Sequence, residues 1–134
     1  MNAKQVTVQR WLHRAAHDLR TAQTMLSQED PPTDVVCFHC QQCAEKWLKA
    51  FLVWAGQDFP KTHDLPEVLG LCVRHDPGFR DLQQAAVALT PYAVATRYVE
   101  AWRDISAEEA AQAIQWALQV RDVVLAKLPT EGST

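Results

Sequence analysis

The chain has 134 residues, enough for one domain whose core needs no staples, and 48% hydrophobic against 22% charged residues excludes disorder everywhere but at the ends. A net charge of −3 excludes a protein that grips duplex DNA by bulk electrostatics, while leaving room for a local basic strip. The opening residues MNAKQVTVQRW lack an apolar leader and no apolar run reaches about 18 residues, so the expectation is a cytoplasmic protein with no membrane partner.

The first helix is predicted from Val6 to Gln28. Val8, Trp11, Leu12, Ala15, Leu19, Ala22 and Leu26 recur at steps of three and four, with His13, Arg14, Asp18, Arg20 and Gln23 on the other face. The prolines of SQEDPPTD end it, and Asp34 is the predicted N-cap of the next helix.

The chain is organised around that second helix, Val35 to Gly56. Cys37, Cys40, Cys43, Ala44, Trp47, Leu48, Phe51, Leu52 and Trp54 fill one broad apolar sector, and His39, Gln42, Glu45, Lys46 and Lys49 share the opposite one. Gln41 falls inside the apolar arc, so its amide needs buried partners. A face this wide requires the centre of a bundle, or a second subunit. Gly56 is placed to close the helix with a left-handed backbone.

After the loop QDFPKTHDLP, Thr62 or Asp64 is positioned to cap a short helix bearing Leu65, Val68, Leu69 and Cys72. Asp76 and Pro77 restart the chain into a segment carried by Phe79, Leu82, Ala86 and Leu89. Thr90-Pro91 leads to YAVATRYVEAWRD, which reads as a helical turn plus an irregular connection. Ser106-Ala107-Glu108-Glu109 is a predicted capping box for the last helix, which runs to Pro129. Residues 129–134 are expected to be a mobile tail. No segment alternates with period two, and the fold class is an all-α, up-and-down bundle of about five helices in one domain, 1–134.

Zinc thiolates usually sit on turns, whereas Cys37, Cys40 and Cys43 are three apart on one helical face. They read as small core residues, as does Cys72, with no metal, no disulfide and no cofactor implied.

The run FHCQQCAEKWLKAFL, then PKTHDL, TRYV and ISAEEAAQAIQWA, resembles a small HEPN domain from about Trp11 to Leu128. The resemblance implies an up-down bundle, usually a homodimer, often partnered by a minimal nucleotidyltransferase in a two-component, toxin-antitoxin-like system. RNA-cutting members resemble one another in an Arg followed four to six residues later by His, near the last helix. Here Arg97 is the nearest match and Trp102, Arg103 and Asp104 stand where that His is needed, so no catalytic residue is carried over. Arg10 and His17, on the first helix, read as a chance match.

The candidate nucleotide- or RNA-binding set is therefore His39, Gln42, Lys46 and Lys49 on the second helix, Lys61 and His63 in the loop, and Arg97 and Tyr98 beyond. Lys and Arg suit phosphate, Gln42 suits a base edge, and Tyr98 suits stacking. Plainer roles stand beside these: Glu45–Lys49 as a solvated helix pair, His63–Asp64 as a loop brace, Arg97–Tyr98 as an interhelical anchor. The leading function is a nucleotide- or single-stranded-RNA-binding module. The alternatives are an RNA-cleaving toxin using His63 or His39 with Arg97, and a ligand-free helical adaptor.

Overall fold

The computed structural model describes residues 1–95 and 103–129. Helix α1 spans Ala3–Leu26, beginning before the apolar periodicity does. Its start is fixed by Asn2, whose side chain accepts from the Gln5 amide at 2.8 Å while Gln5 Oε1 accepts from the Asn2 amide at 2.8 Å. It stops short of Gln28 because the chain turns at Asp30, which has φ +52°.

Helix α2, Thr33–Ala55, starts from Pro32 rather than from the predicted Asp34 cap. Proline fixes the entry dihedral and has no amide to satisfy, so Asp34 moves into the first turn, where its charge complements the helix dipole. Thr33 donates its hydroxyl to the Ile105 carbonyl at 2.7 Å, tying this end to the segment before the last helix. At the other end Gly56 has φ +74°, the left-handed closure its position in the sequence predicts.

Helix α3, Leu65–His75, has Asp64 at its N-cap, but neither that carboxylate nor Thr62 caps the helix. The Leu65 amide instead donates to Thr90 Oγ1 at 3.1 Å, and that hydroxyl donates to the Ala86 carbonyl at 2.8 Å. A 3₁₀ turn, Pro77–Leu82, follows, capped by Asp76 onto the Gly78 amide. Then come α4 (Gln83–Leu89), the single turn α5 (Tyr92–Ala95) and α6 (Ala107–Lys127). Residues 96–102 and 130–134, which hold Arg97, Tyr98, Trp102 and most of the predicted tail, lie outside the described residues.

Among the described residues there is no strand, and the fold is the all-α bundle. Helix α2 packs against α1, α6, α3 and α5, which is why its apolar sector is so broad. Leu48, Leu52, Leu69, Phe79, Leu82 and Leu89 are fully enclosed, with Phe51 against Phe79 at 4.5 Å between ring centres. All four Cys are buried and free, and burial pushes the thiols of Cys37 and Cys72 up to about 12. The core needs no second subunit to cover Trp47 or Phe51, whereas Trp54 is 37% exposed at the end of α2. No helix among the described residues is long and apolar enough to cross a membrane.

The capping box at α6 is only half made. Ser106 Oγ accepts from the Glu109 amide at 3.0 Å, but the Glu109 carboxylate turns away to the Arg103 fork, at 2.9 and 2.6 Å, and to the Tyr92 hydroxyl. Two charge-assisted bonds to a guanidinium outweigh one bond to a neutral amide.

Both displaced caps can be tested by unfolding. Thr90→Val leaves the Leu65 amide without its acceptor and should cost about 1–2 kcal/mol in urea unfolding; an unchanged midpoint would remove Thr90 as the cap of α3. The Arg103 hydrogen bonds, and then the Tyr92 one, hold the Glu109 carboxyl down at about 2, below its ordinary 4.5. Its contribution is therefore complete above pH 4.5 and is lost as the pH falls toward 2. The stability difference between wild type and Glu109→Gln should shrink across that window, and a difference that stays constant would refute the assignment.

Candidate functional site

Two carboxylates organise the polar residues of α2, one from the neighbouring helix and one from α2 itself. Asp18, on the inward side of α1, accepts from His39 Nδ1 at 2.8 Å through one oxygen and from Lys46 Nζ through the other. Glu45 is the second hub. Its Oε1 meets His63 Nδ1 at 2.8 Å and Gln41 Nε2 at 3.2 Å, and its Oε2 meets Lys49 Nζ at 3.0 Å.

Burial by itself raises the Glu45 carboxyl, but the hydrogen bonds from His63, Lys49 and Gln41 together outweigh it, and the group is held below its ordinary value. Gln41, fully enclosed as its place in the apolar arc requires, also donates to the His63 carbonyl at 3.2 Å and accepts from Gln42 Nε2 at 2.6 Å. The residues 41, 45 and 49 thus form a ladder at four-residue steps, three polar groups satisfying one another along a buried edge.

This arrangement corrects the solvated face assigned to Glu45 and Lys49. Both are buried, and the Lys49 ammonium lies 3.4 Å from the Thr62 carbonyl and 5.9 and 5.5 Å from the ring centres of Trp11 and Phe59. The loop after Gly56 folds back over α2, so one flank that a helical wheel shows as polar is an inner surface. His63 is braced by Glu45 rather than by Asp64. Its side chain is 49% exposed, with Nδ1 turned to the carboxylate, which leaves Nε2 as the nitrogen available to a ligand.

The predicted residues thus fall into two adjoining groups. His39 and Lys46 gather on Asp18, while Gln42, Lys49 and His63 gather on the Gln41–Glu45 ladder. Lys61 is exposed and makes no ion pair among the described residues, and Arg97 and Tyr98 lie outside them. A shallow depression of about 450 Å³, lined by Thr7, Arg10, Trp11, Arg14, Glu45 and Lys46, joins the two groups.

Asp18, the acid that holds His39 and Lys46, and Arg10 and Arg14, which line the joining depression, are the residues that reading α2 alone leaves out. Arg10 and Arg14 stand one helical turn apart on either side of Trp11, and that spacing was the available signal. Among the described residues no three His, Cys, Asp or Glu are grouped to hold a metal ion. What the site offers is cations, an oriented imidazole and a primary amide, groups that bind phosphate and base edges.

Removing Glu45 alone strands the Lys49 ammonium inside, so Glu45→Ala should cost about 3–5 kcal/mol in denaturant unfolding. The double change Glu45→Leu/Lys49→Met should come back to within about 1 kcal/mol of wild type. Equal losses in the single and double variants would show that the pair is not the buried, mutually dependent unit described.

The family model described as the HEPN domain matches residues 8–128. Among solved structures the chain is similar to TT1696 from Thermus thermophilus, at 32% identity and a TM-score of 0.73, over 90% of this chain and 98% of that one. It is also similar to ST0689, described as an archaeal HEPN homologue, at 25% identity and a TM-score of 0.70, over 90% of this chain and 96% of that one. No curated protein matches the chain.

Proposed function

The chain belongs to the HEPN domain family, and on that footing we propose that it is a cytoplasmic nucleotide- or RNA-binding module, homodimeric, that works as the partner of a minimal nucleotidyltransferase. The observation that carries the binding is the pair of carboxylate hubs. Asp18 holds Lys46 and His39, and Glu45 holds His63, with Lys46 and Glu45 themselves lining one depression. A phosphate arriving there meets cations already oriented, so little side-chain entropy is lost on binding. Family membership supports the nucleotidyltransferase partner, and exposed Trp54 supports a surface that a second subunit covers.

Filter binding of labelled mononucleotide and of short single-stranded RNA tests the site. Lys46→Ala/His63→Ala should weaken binding by about tenfold, as expected for two lost polar contacts to a charged ligand. Wild-type affinity in that variant would remove these residues from the site. Co-expression with a neighbouring nucleotidyltransferase should give a stable complex, and sedimentation at micromolar concentration should show a dimer.

One observation favours a second reading, RNA cleavage. A half-exposed imidazole whose Nδ1 is fixed by a buried carboxylate has the form of a general base, which a metal-free ribonuclease needs to take the ribose 2′-hydroxyl proton. On this reading the protein arrests growth when expressed alone, and His63→Ala reverses the arrest together with the accompanying RNA fragmentation. Benign expression of the wild type would exclude it.

A further inference from the structure

Helix α1 departs from the charge balance of the chain. Residues 3–26 carry Lys4, Arg10, Arg14 and Arg20 against Asp18 alone, a net of +3, so the rest of a chain of net −3 carries −6. The single acid faces inward and is taken by His39 and Lys46. Its cations point out. Arg10, Arg14 and Arg20 are exposed and make no ion pair among the described residues, and exposed His13 and His17 sit between them with ring centres 4.2 Å apart. Positions 10, 13, 14, 17 and 20 fall on one face and run about 15 Å along the axis.

Such a concentration of like charge is self-repulsive, and no ion pair among the described residues offsets it. Two hollows open on this face: one of about 540 Å³ that Arg10, His13 and Arg14 line with Met1, Val6 and Gln9, and the depression that Arg10 and Arg14 line with Thr7, Trp11 and, from α2, Glu45 and Lys46. Lys46 is held by Asp18, and the Glu45 carboxylate is taken by Lys49 and His63, so the unpaired Arg10 and Arg14 leave the depression cationic around an indole, which matches a single-stranded nucleic acid. Phosphates spaced along a strand meet the arginines, and an unstacked base meets the aromatic side chain. A rigid duplex would gain from the charge but not from the indole.

We propose that the outer face of α1, from Arg10 to Arg20 and continuing through Lys46, is the track along which the protein holds the backbone of single-stranded RNA. The inference rests on the nucleic-acid-binding reading above and gives it a surface and a direction: the strand enters along α1 and reaches the Glu45–His63 corner through the Arg10–Arg14 depression.

Fluorescence anisotropy with a labelled twelve-nucleotide oligouridylate, over 50–300 mM KCl, tests it. Each phosphate contact on a single strand adds about −0.7 to the slope of log K against log salt. Arg10→Ala/Arg14→Ala should therefore flatten the slope by about 1.4 and weaken binding at least fivefold at 100 mM salt. Arg74→Ala/Arg80→Ala, the same charge change on exposed arginines of α3 and the 3₁₀ turn, should leave both quantities unchanged. Equal losses in the two variants would reduce the effect to net charge and overturn the track, as would wild-type slope in the α1 variant or no binding of the oligonucleotide by the wild type. If the wild type binds mononucleotide but not the oligonucleotide, the track fails while the binding site stands. If α1 substitutions weaken the oligonucleotide and Lys46→Ala/His63→Ala does not, the α1 part of the track stands, its continuation through Lys46 is overturned, and the two-hub site fails. Oligonucleotide-independent capture of an acidic protein by the same face, lost in the α1 variant, would assign the surface to that partner instead.

Discussion

Glu45 and Lys49 go into the interior on the same helix as Leu48 and Leu52, and everything around α2 is arranged to accommodate them. An ammonium and a carboxylate withdrawn from water each carry a desolvation cost of several kcal/mol, recovered only when every remaining donor and acceptor finds a partner. Gln41 on the same helix supplies one partner to Glu45, and the others come from outside it: the His63 ring for Glu45 and the Thr62 carbonyl for Lys49, from the loop after Gly56, and the flanking rings of Trp11 and Phe59. The turn at Gly56 thus has a specific destination. It brings the loop back across α2 so that the Thr62 carbonyl lands beside the Lys49 ammonium and the His63 ring beside Glu45.

The same constraint couples fold to function. A buried ion pair is weak evidence for stability, since an apolar pair of similar volume serves as well. Its use here is positional. Glu45 gives one oxygen to Lys49 and the other to His63, so a half-exposed imidazole is anchored to the central helix of the bundle. Asp18 does the same for Lys46 and His39 from the α1 side. On the proposed reading, side chains held in this way by a buried and a half-buried acid are preorganised, which lowers the entropy lost when a ligand arrives.

The bundle was legible because helical periodicity reports burial directly. α2 was recognisable from Cys37 to Trp54, its glycine stop was right, and the enclosed Gln41 followed from its place in the arc. What one dimension could not convey was the third neighbour of each residue. A helical wheel places Lys49 on the polar side, and only the return of the loop makes that side internal. Ser106 caps α6 as its position requires, but other caps went elsewhere. Asp34 lost its role to Pro32, Asp64 to the hydroxyl of Thr90 from another helix, and the Glu109 carboxylate to Arg103 and Tyr92. At Asp64 and Glu109 a local rule was overridden by a partner from another element, whereas Asp34 lost its role locally, to the proline two residues before it. The basic side of α1 is plain in the letters at Arg10, Arg14 and Arg20, but the apolar stripe dominates the pattern of that helix, and charge on an outer face has no period of its own to announce it.

The four enclosed thiols have one more consequence. Burial keeps them protonated: Cys37 lies beside Tyr92 and Glu109, Cys43 near Asp18 of α1, and the Cys72 thiol donates to the Leu48 carbonyl across the α2–α3 seam. An alkylating reagent can reach them only when neighbouring helices part, so the rate at which each sulfur is modified under native conditions counts the openings around it. The molecule therefore contains four built-in recorders of its own breathing, able to tell whether the α1–α2 seam or the α2–α3 seam yields first.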